Sequence, residues 1–291
     1  MIRFEGVTKV YEGQSGSKDV LALHDVNLEI QKGEFVFVIG HSGAGKSTFL
    51  KLMLREEVAT EGEVYVNDRE LTTMRERDVP YLRRSLGVVF QDFRLIPTMT
   101  AYENVAFAMR VTNISDRDIK RRVPYVLNLV GLSGKAHSFP NELSGGEQQR
   151  IALARALVHS PAIIIADEPT GNIDPELSVE IMELLQAINS VGTTVVVVTH
   201  EHELAQRFNK RTITIDHGEL ISDVPPKPMH PVRQAAPQRP VMPQTQTQAM
   251  PRQQPQQRGR AIRQPQGMTQ PQTRAPQQRR SDNGGYMEGG K

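Results

Sequence analysis

The sequence predicts an α/β protein with a parallel sheet, over residues 1–224 of 291. Three observations carry this. Apolar runs of strand length recur at Glu34–Ile39, Leu86–Phe90, Ala162–Ala166 and Thr194–Val198. Runs without polar alternation suit strands covered on both faces. Stretches of helical periodicity lie between them, and strand–helix–strand alternation favours a parallel sheet with helices packed on it.

Each element has its own signal. Ile2–Val7 and Leu23–Ile30 read as N-terminal antiparallel strands. Glu34–Ile39 stops at Gly40, and Lys46–Leu54 then reads as a helix with Phe49, Leu50, Met53 and Leu54 on one side. Leu86–Phe90 reads as the next buried strand. Arg117–Val130 has helical spacing through Ile119, Val123, Val126, Leu127 and Val130. After Ala162–Ala166, Asp174 is placed as an N-cap and Pro175 at the first helical position. Leu177, Ile181, Leu184, Leu185 and Ile188 continue that helix, which is expected to end before Gly192.

Composition excludes several classes. With no cysteine there is no disulfide framework, zinc–thiolate site or Cys nucleophile. Apolar runs such as Ala162–Ala166 are far shorter than the roughly 18 residues of a membrane helix. MIRFEGVTKV lacks the apolar core of a secretory signal. The net charge of +2 averages two unlike parts: residues 1–224 are −7 and residues 225–291 are +9. The latter segment holds 12 prolines and 15 glutamines and few large apolar side chains, so it is expected to be a disordered tail. As a random coil it would span about 45 Å.

The chemistry begins at Gly40-His41-Ser42-Gly43-Ala44-Gly45-Lys46-Ser47-Thr48, which matches G-x-x-x-x-G-K-[ST] between a buried strand and a helix. Glycines let the backbone curl until several N–H groups face one phosphate chain, and the helix N-terminus adds its dipole. Lys46 is expected to reach the β- and γ-phosphates and the Ser47 hydroxyl to ligate Mg²⁺. The strand Ala162–Ala166 ends in Asp167 and Glu168, at the carboxyl edge where parallel sheets bind ligands. Successive residues point in different directions. Asp167 is therefore expected to hold Mg²⁺ through water, and Glu168 to polarise an attacking water.

Leu143-Ser144-Gly145-Gly146-Glu147-Gln148-Gln149-Arg150 opens a helix expected to run to Val158. This string resembles the signature of ABC-type ATPases. The resemblance covers about residues 1–222. It implies an ABC-type nucleotide-binding domain of the P-loop NTPase class, with a mixed sheet core and a helical subdomain at about 92–160. It implies ATP and Mg²⁺ as ligands and Mg-dependent ATP hydrolysis. Tyr11 then matches the aromatic stacked on adenine, and Gln91 the glutamine touching Mg²⁺ and the attacking water. Gly171–Asp174 resembles the loop linking two active sites, which makes Asp174 a contact there, and His200 matches the switch histidine on the γ-phosphate. Ser144, Gly145 and Gly146 would face the phosphate loop of a second subunit, which implies a homodimer around two ATP molecules.

Within the family, KLMLREE at Lys51–Glu57 and GVVFQDFRLIPTMTAYENVAFAM at Gly87–Met109 resemble the cell-division ATPases. PTGNID at Pro169–Asp174 is shared with lipoprotein- and macrolide-exporter ATPases. The resemblance implies an integral membrane partner docking near Phe93–Val130, at the cytoplasmic face of the plasma membrane and at the division site. Through that partner, ATP-driven dimer closure and opening would control cell-wall hydrolysis. The alternatives are an exporter ATPase, or a soluble ABC ATPase acting on nucleic acid or ribosomes. The tail departs from the pattern. Its charge suits anionic lipid, or it is a solvated tether. Its dispersed charges and single aromatic, Tyr286, do not suggest a dedicated nucleic-acid site.

Overall fold

The fold is described from a computed structural model covering residues 1–13 and 18–227. In chain order the strands are β1 (Ile2–Tyr11), β2 (Val20–Ile30), β3 (Phe35–Ile39), β4 (Glu61–Val66), β5 (Arg69–Glu70), β6 (Leu86–Val89), β7 (Ile163–Asp167), β8 (Thr194–Thr199), β9 (Arg211–Asp216) and β10 (Glu219–Val224). The helices are α1 (Lys46–Met53), α2 (Val79–Arg84), α3 (Ala101–Arg110), α4 (Asp116–Leu129), α5 (Gly145–Leu157), α6 (Pro175–Ser190) and α7 (His202–Phe208). The expected tail lies outside the described residues from position 228 onward.

Two sheets form. One is antiparallel, in the order β2-β1-β4-β5, and the other runs β10-β9-β3-β8-β7-β6. In the second, β9, β3, β8, β7 and β6 are parallel, and β10 closes one edge antiparallel to β9. Three of the continuous apolar runs are its strands β3, β8 and β7, and the fourth, Leu86–Phe90, is the edge strand β6. Phe35, Phe37, Ile39, Ile164, Ala166, Val195 and Val197 point to the side covered by α3–α6. Val36, Val38, Ile163, Ile165, Val196 and Val198 point to the side covered by α1 and the antiparallel sheet. Both faces are dry, so no polar alternation is required.

The N-terminal strands pair antiparallel as expected, Ile2 opposite Ile30 and Tyr11 opposite Val20. Phe4 of β1 stacks on Phe49 of α1 with ring centroids 4.5 Å apart. This packing fixes the antiparallel sheet over the first helix. Asp174 does occupy the N-cap position of α6, with extended dihedrals, but its side chain makes no capping hydrogen bond. Its backbone carbonyl instead accepts from the Ser178 amide at 2.9 Å and hydroxyl at 3.0 Å. The capping expectation therefore holds for position and not for the side chain.

Among the described residues no helix is long and apolar enough to cross a membrane. Truncating Ile164, fully buried in β7, is expected to cost about 2–5 kcal/mol. The check is denaturant unfolding, with a lower midpoint and an unchanged slope.

Candidate functional site: a phosphate loop facing two strand-end carboxylates

The loop between β3 and α1 owes its shape to glycine. Gly45, at the N-cap of α1, has φ 111°. A Cβ there would lie 2.6 Å from the Ala22 carbonyl oxygen and 2.9 Å from Leu23 Cδ2. A Cβ on Gly40 would lie 2.3 Å from the Ile215 carbonyl oxygen. The loop is thus pressed between β2 and the end of β9, where side chains do not fit. The Lys46 ammonium donates to the Gly40 carbonyl at 2.7 Å and the His41 carbonyl at 3.0 Å, holding it inside the curl.

A cavity of about 810 Å³ opens above this loop, a size suited to a small-molecule ligand. His41, Ser42, Gly43, Gly45, Lys46, Ser47 and Thr48 form its floor, and Gln91, Asp167, Glu168 and His200 close one side. Tyr11 stands on the other side with Val20–Ala22 of β2. The Tyr11 hydroxyl lies 3.4 Å from Thr48 Oγ1, and the Lys9 ammonium sits 4.9 Å from the ring centroid. Lys9 is itself held by Glu57 at 2.9 Å and the Val58 carbonyl at 3.0 Å. These contacts brace the ring as one wall of the cavity.

The acid pair closes the far wall. Glu168 has φ 45°, a left-handed conformation uncommon for its residue type, where β7 breaks off. Strain of this kind clusters at functional sites. Its amide donates to the Val198 carbonyl at 2.8 Å. Its carboxylate accepts from Thr199 Oγ1 at 3.0 Å and pairs with His200 Nδ1 at 2.8 Å. Burial, and then the neighbouring Glu168, push the Asp167 carboxyl above its ordinary range. A desolvated carboxylate beside a second one favours a bound cation. Ser47, Gln91 and Asp167 offer oxygen donors in this one cavity, of the kind Mg²⁺ takes.

The signature string sits elsewhere. Ser144 caps α5 in a reciprocal box: its Oγ accepts from the Glu147 amide at 3.3 Å, and Glu147 Oε2 accepts from the Ser144 amide at 2.9 Å. A Cβ on Gly145 would lie 3.2 Å from the Asn172 carbonyl oxygen, and one on Gly146 would lie 2.8 Å from Leu177 Cδ1. Ser144, Gly145, Gly146 and Asp174 therefore form a second group around the start of α6 and do not line the cavity. Fully buried Gln149 links α5 to the acid loop, donating to the Pro169 carbonyl at 2.7 Å. Asn172 Nδ2 donates to the Gln91 carbonyl at 2.8 Å, so Gln91, the Gly171–Asp174 loop and the signature helix form one connected surface.

Several contributors escape motif reading. Val20–Ala22 supply a wall through β1–β2 pairing, in a part of β2 that precedes the strand expected from Leu23. Thr199 holds Glu168, and its signal was present as the Thr preceding His200. Arg155 donates to the Phe93 carbonyl at 2.7 Å, fixing the segment after Gln91 onto α5. Burial lowers its pKa below that of ordinary arginine. Asp167→Asn, which removes a half-buried charge, is expected to stabilise the nucleotide-free protein by about 1 kcal/mol while weakening Mg²⁺-dependent turnover. Thermal unfolding without nucleotide and steady-state ATPase assays check the two halves.

A phosphate loop at a strand–helix turn, opposed by carboxylates at the end of a parallel strand one place removed in the same sheet, defines a P-loop nucleotide hydrolase. The ABC transporter family model matches residues 23–171. The chain belongs to the ABC transporter family and is an ATP-binding ATPase. It is 48% identical to the cell division ATP-binding protein FtsE of Bacillus subtilis over 223 residues, spanning 77% of this chain and 96% of that one. It is 46% identical to FtsE of Escherichia coli over 224 residues, spanning 77% and 99%. Its fold is similar to a dimeric ATP-binding cassette in a post-hydrolysis state bound to ADP and Pi (TM-score 0.70, 39% identity, 77% of this chain and 98% of that chain).

Proposed function

We propose that the chain is the ATP-binding subunit of an FtsE–FtsX-type membrane complex. In this reading ATP binding and hydrolysis close and open a dimer, and the motion passes through the membrane partner to control cell-wall hydrolysis in division. The observation that carries the chemistry is the single cavity joining Lys46, Gln91, Asp167, Glu168 and His200. The signature residues Ser144–Gly146 lie outside it, so a second copy is needed to bring them to the phosphates. The identity to FtsE proteins, spread over nearly their whole length, carries the biological assignment.

The proposed mechanism assigns one task to each group. The loop amides and Lys46 bind the β- and γ-phosphates, and Tyr11 stacks on adenine. Ser47, Gln91 and Asp167 would hold Mg²⁺, which neutralises phosphate charge when bound. Glu168 accepts a proton from the attacking water, while Thr199 and His200 hold its carboxylate. His200, Lys46 and the partner's signature-helix amides stabilise charge on the transferring phosphoryl group.

The membrane partner is proposed to dock on the Phe93–Val130 surface, at the cytoplasmic face of the membrane. Phe107, Val111 and Ile114 are exposed large apolar side chains in that stretch. Phe107→Glu with Ile114→Glu is expected to leave the ATPase of the purified protein within about twofold and to abolish membrane recruitment. Fractionation and ATPase assays check this, and loss of hydrolysis in the purified variant would count against it. The complex is tested by pull-down from solubilised membranes with Glu168→Gln and ATP. Recovery of a division protein with a large extracytoplasmic domain supports the reading, whereas a multicomponent export permease favours an exporter.

A further inference from the structure

A cluster beside the phosphate loop has no place in the hydrolytic mechanism. It comprises the side chain of His41 in the loop and those of Asp216 and His217, at the turn between β9 and β10. His41 Nε2, Asp216 and His217 each offer one ligand atom, and these lie within 4.8 Å of one another. His41 Nδ1 lies 2.6 Å from the Ser42 carbonyl oxygen, which only accepts, so the ring proton belongs on Nδ1. In neutral His41 the lone pair of Nε2 then faces Asp216 Oδ1 at 2.6 Å. That oxygen is buried and has no hydrogen-bond donor. Two acceptors at this distance need a cation between them, either a second proton on the His41 ring or a metal ion. His217 Nε2 lies 3.9 Å from the same oxygen, and the two imidazole rings meet edge to face with centroids 5.1 Å apart.

We propose that His41, Asp216 and His217 bind a late first-row divalent cation of the Zn²⁺ class, distinct from the Mg²⁺ of hydrolysis. Two imidazoles and one carboxylate are the donors such ions take, with a fourth position left to solvent. Metal–ligand bonds of about 2.1 Å in a tetrahedron place donors roughly 3.4 Å apart. The 2.6 and 3.9 Å separations from Asp216 reach that by shifts under 1 Å, and the two histidine donors, within 4.8 Å of one another, by about 1.4 Å at most. The backbone is already set. His217 and Gly218 have φ 47° and 82°, a left-handed pair that makes the tight hairpin turn. The Gly218 amide donates to the Ala44 carbonyl at 2.9 Å, and its carbonyl accepts from the His24 amide at 2.9 Å. The turn is thereby locked to the phosphate loop before any ion arrives.

Position gives the site a regulatory consequence. The His41 carbonyl accepts from the Lys46 ammonium, so an ion on the His41 ring adds a second tie to the hairpin and favours the loop conformation in which Lys46 is turned onto the loop carbonyls. Cation and ATP then oppose one another, and the antagonism is reciprocal. Saturating Zn²⁺ is expected to weaken ATP binding about tenfold, within the usual range of such couplings.

The test uses the full-length chain without nucleotide, titrated with Co²⁺ by visible absorption and with Zn²⁺ by calorimetry. The comparison is with His217→Asn, which tolerates the left-handed turn, and separately with Asp216→Asn. Neither residue lines the nucleotide cavity, so Mg²⁺-dependent ATPase of His217→Asn should be unchanged. The expected result is one equivalent of Co²⁺ or Zn²⁺ bound by the wild type and missing from both variants, with the Zn²⁺ effect on ATP affinity missing too. No binding to the wild type at tens of micromolar would overturn the site, as would equal stoichiometry and affinity in the variants. A Zn²⁺ effect on ATP that persists in the variants would overturn the coupling. None of these outcomes bears on the ATPase or division assignment.

Discussion

Glu168→Gln is expected to lower ATP hydrolysis by about 10²–10⁴-fold, the usual worth of a positioned general base, while leaving ATP affinity within a few-fold. The geometry sets both halves of this outcome. The Glu168 side chain is only 12% exposed and lies at the end of β7, across the cavity from Lys46. An amide oxygen of Gln can still accept from Thr199 Oγ1, and the amide matches the carboxylate in volume, so the fold and the phosphate loop are not disturbed. What is lost is the anionic oxygen facing the water. Single-turnover hydrolysis together with equilibrium nucleotide binding separates the two effects. A variant that lost ATP binding in proportion to activity would place Glu168 among the binding groups.

Gly45→Ala carries the largest expected structural effect. The added methyl meets the Ala22 carbonyl oxygen at 2.6 Å and Leu23 Cδ2 at 2.9 Å, at a φ of 111° that side chains rarely adopt. Backbone strain and overpacking each cost of order 1–3 kcal/mol, so the loop is expected to be destabilised by about 3 kcal/mol or more. The Lys46 and Ser47 positions depend on that loop, and nucleotide binding should fall below detection. Gly43→Ala is the control. Gly43 also has positive φ, 83°, but a Cβ there meets nothing within 4 Å, and its penalty should be the smaller of the two. Denaturant unfolding and fluorescent-nucleotide binding on both variants decide this.

How much of the molecule was legible in the sequence followed from how local each signal was. The phosphate loop, the buried strands and the acid pair are contiguous strings whose chemistry dictates their setting. β9 and β10 were not read, although the signal was present. Ile213 and Ile215 alternate with polar residues and are buried, and Asp216-His217-Gly218 supplies the left-handed turn. β4 is harder to see, because only Val64 and Val66 of its six residues are buried and its partner is β1, more than fifty residues earlier. The bracing of Tyr11 by Lys9 and the pairing of Glu168 with Thr199 and His200 depend on strand packing that no local string encodes. That Ser144–Gly146 stand apart from the cavity was anticipated only through the family resemblance. No spacing along the chain specifies it.

We propose a catalytic unit of two chains with ATP between them. Analytical ultracentrifugation of Glu168→Gln tests it most directly, with ATP, with ADP and without nucleotide. A dimer is expected with ATP alone, carrying two ATP per two chains, and a monomer when Ser144→Arg is added to block the signature surface. A chain that binds ATP, stays monomeric throughout and in wild-type form still hydrolyses ATP at a rate independent of its concentration would contradict it.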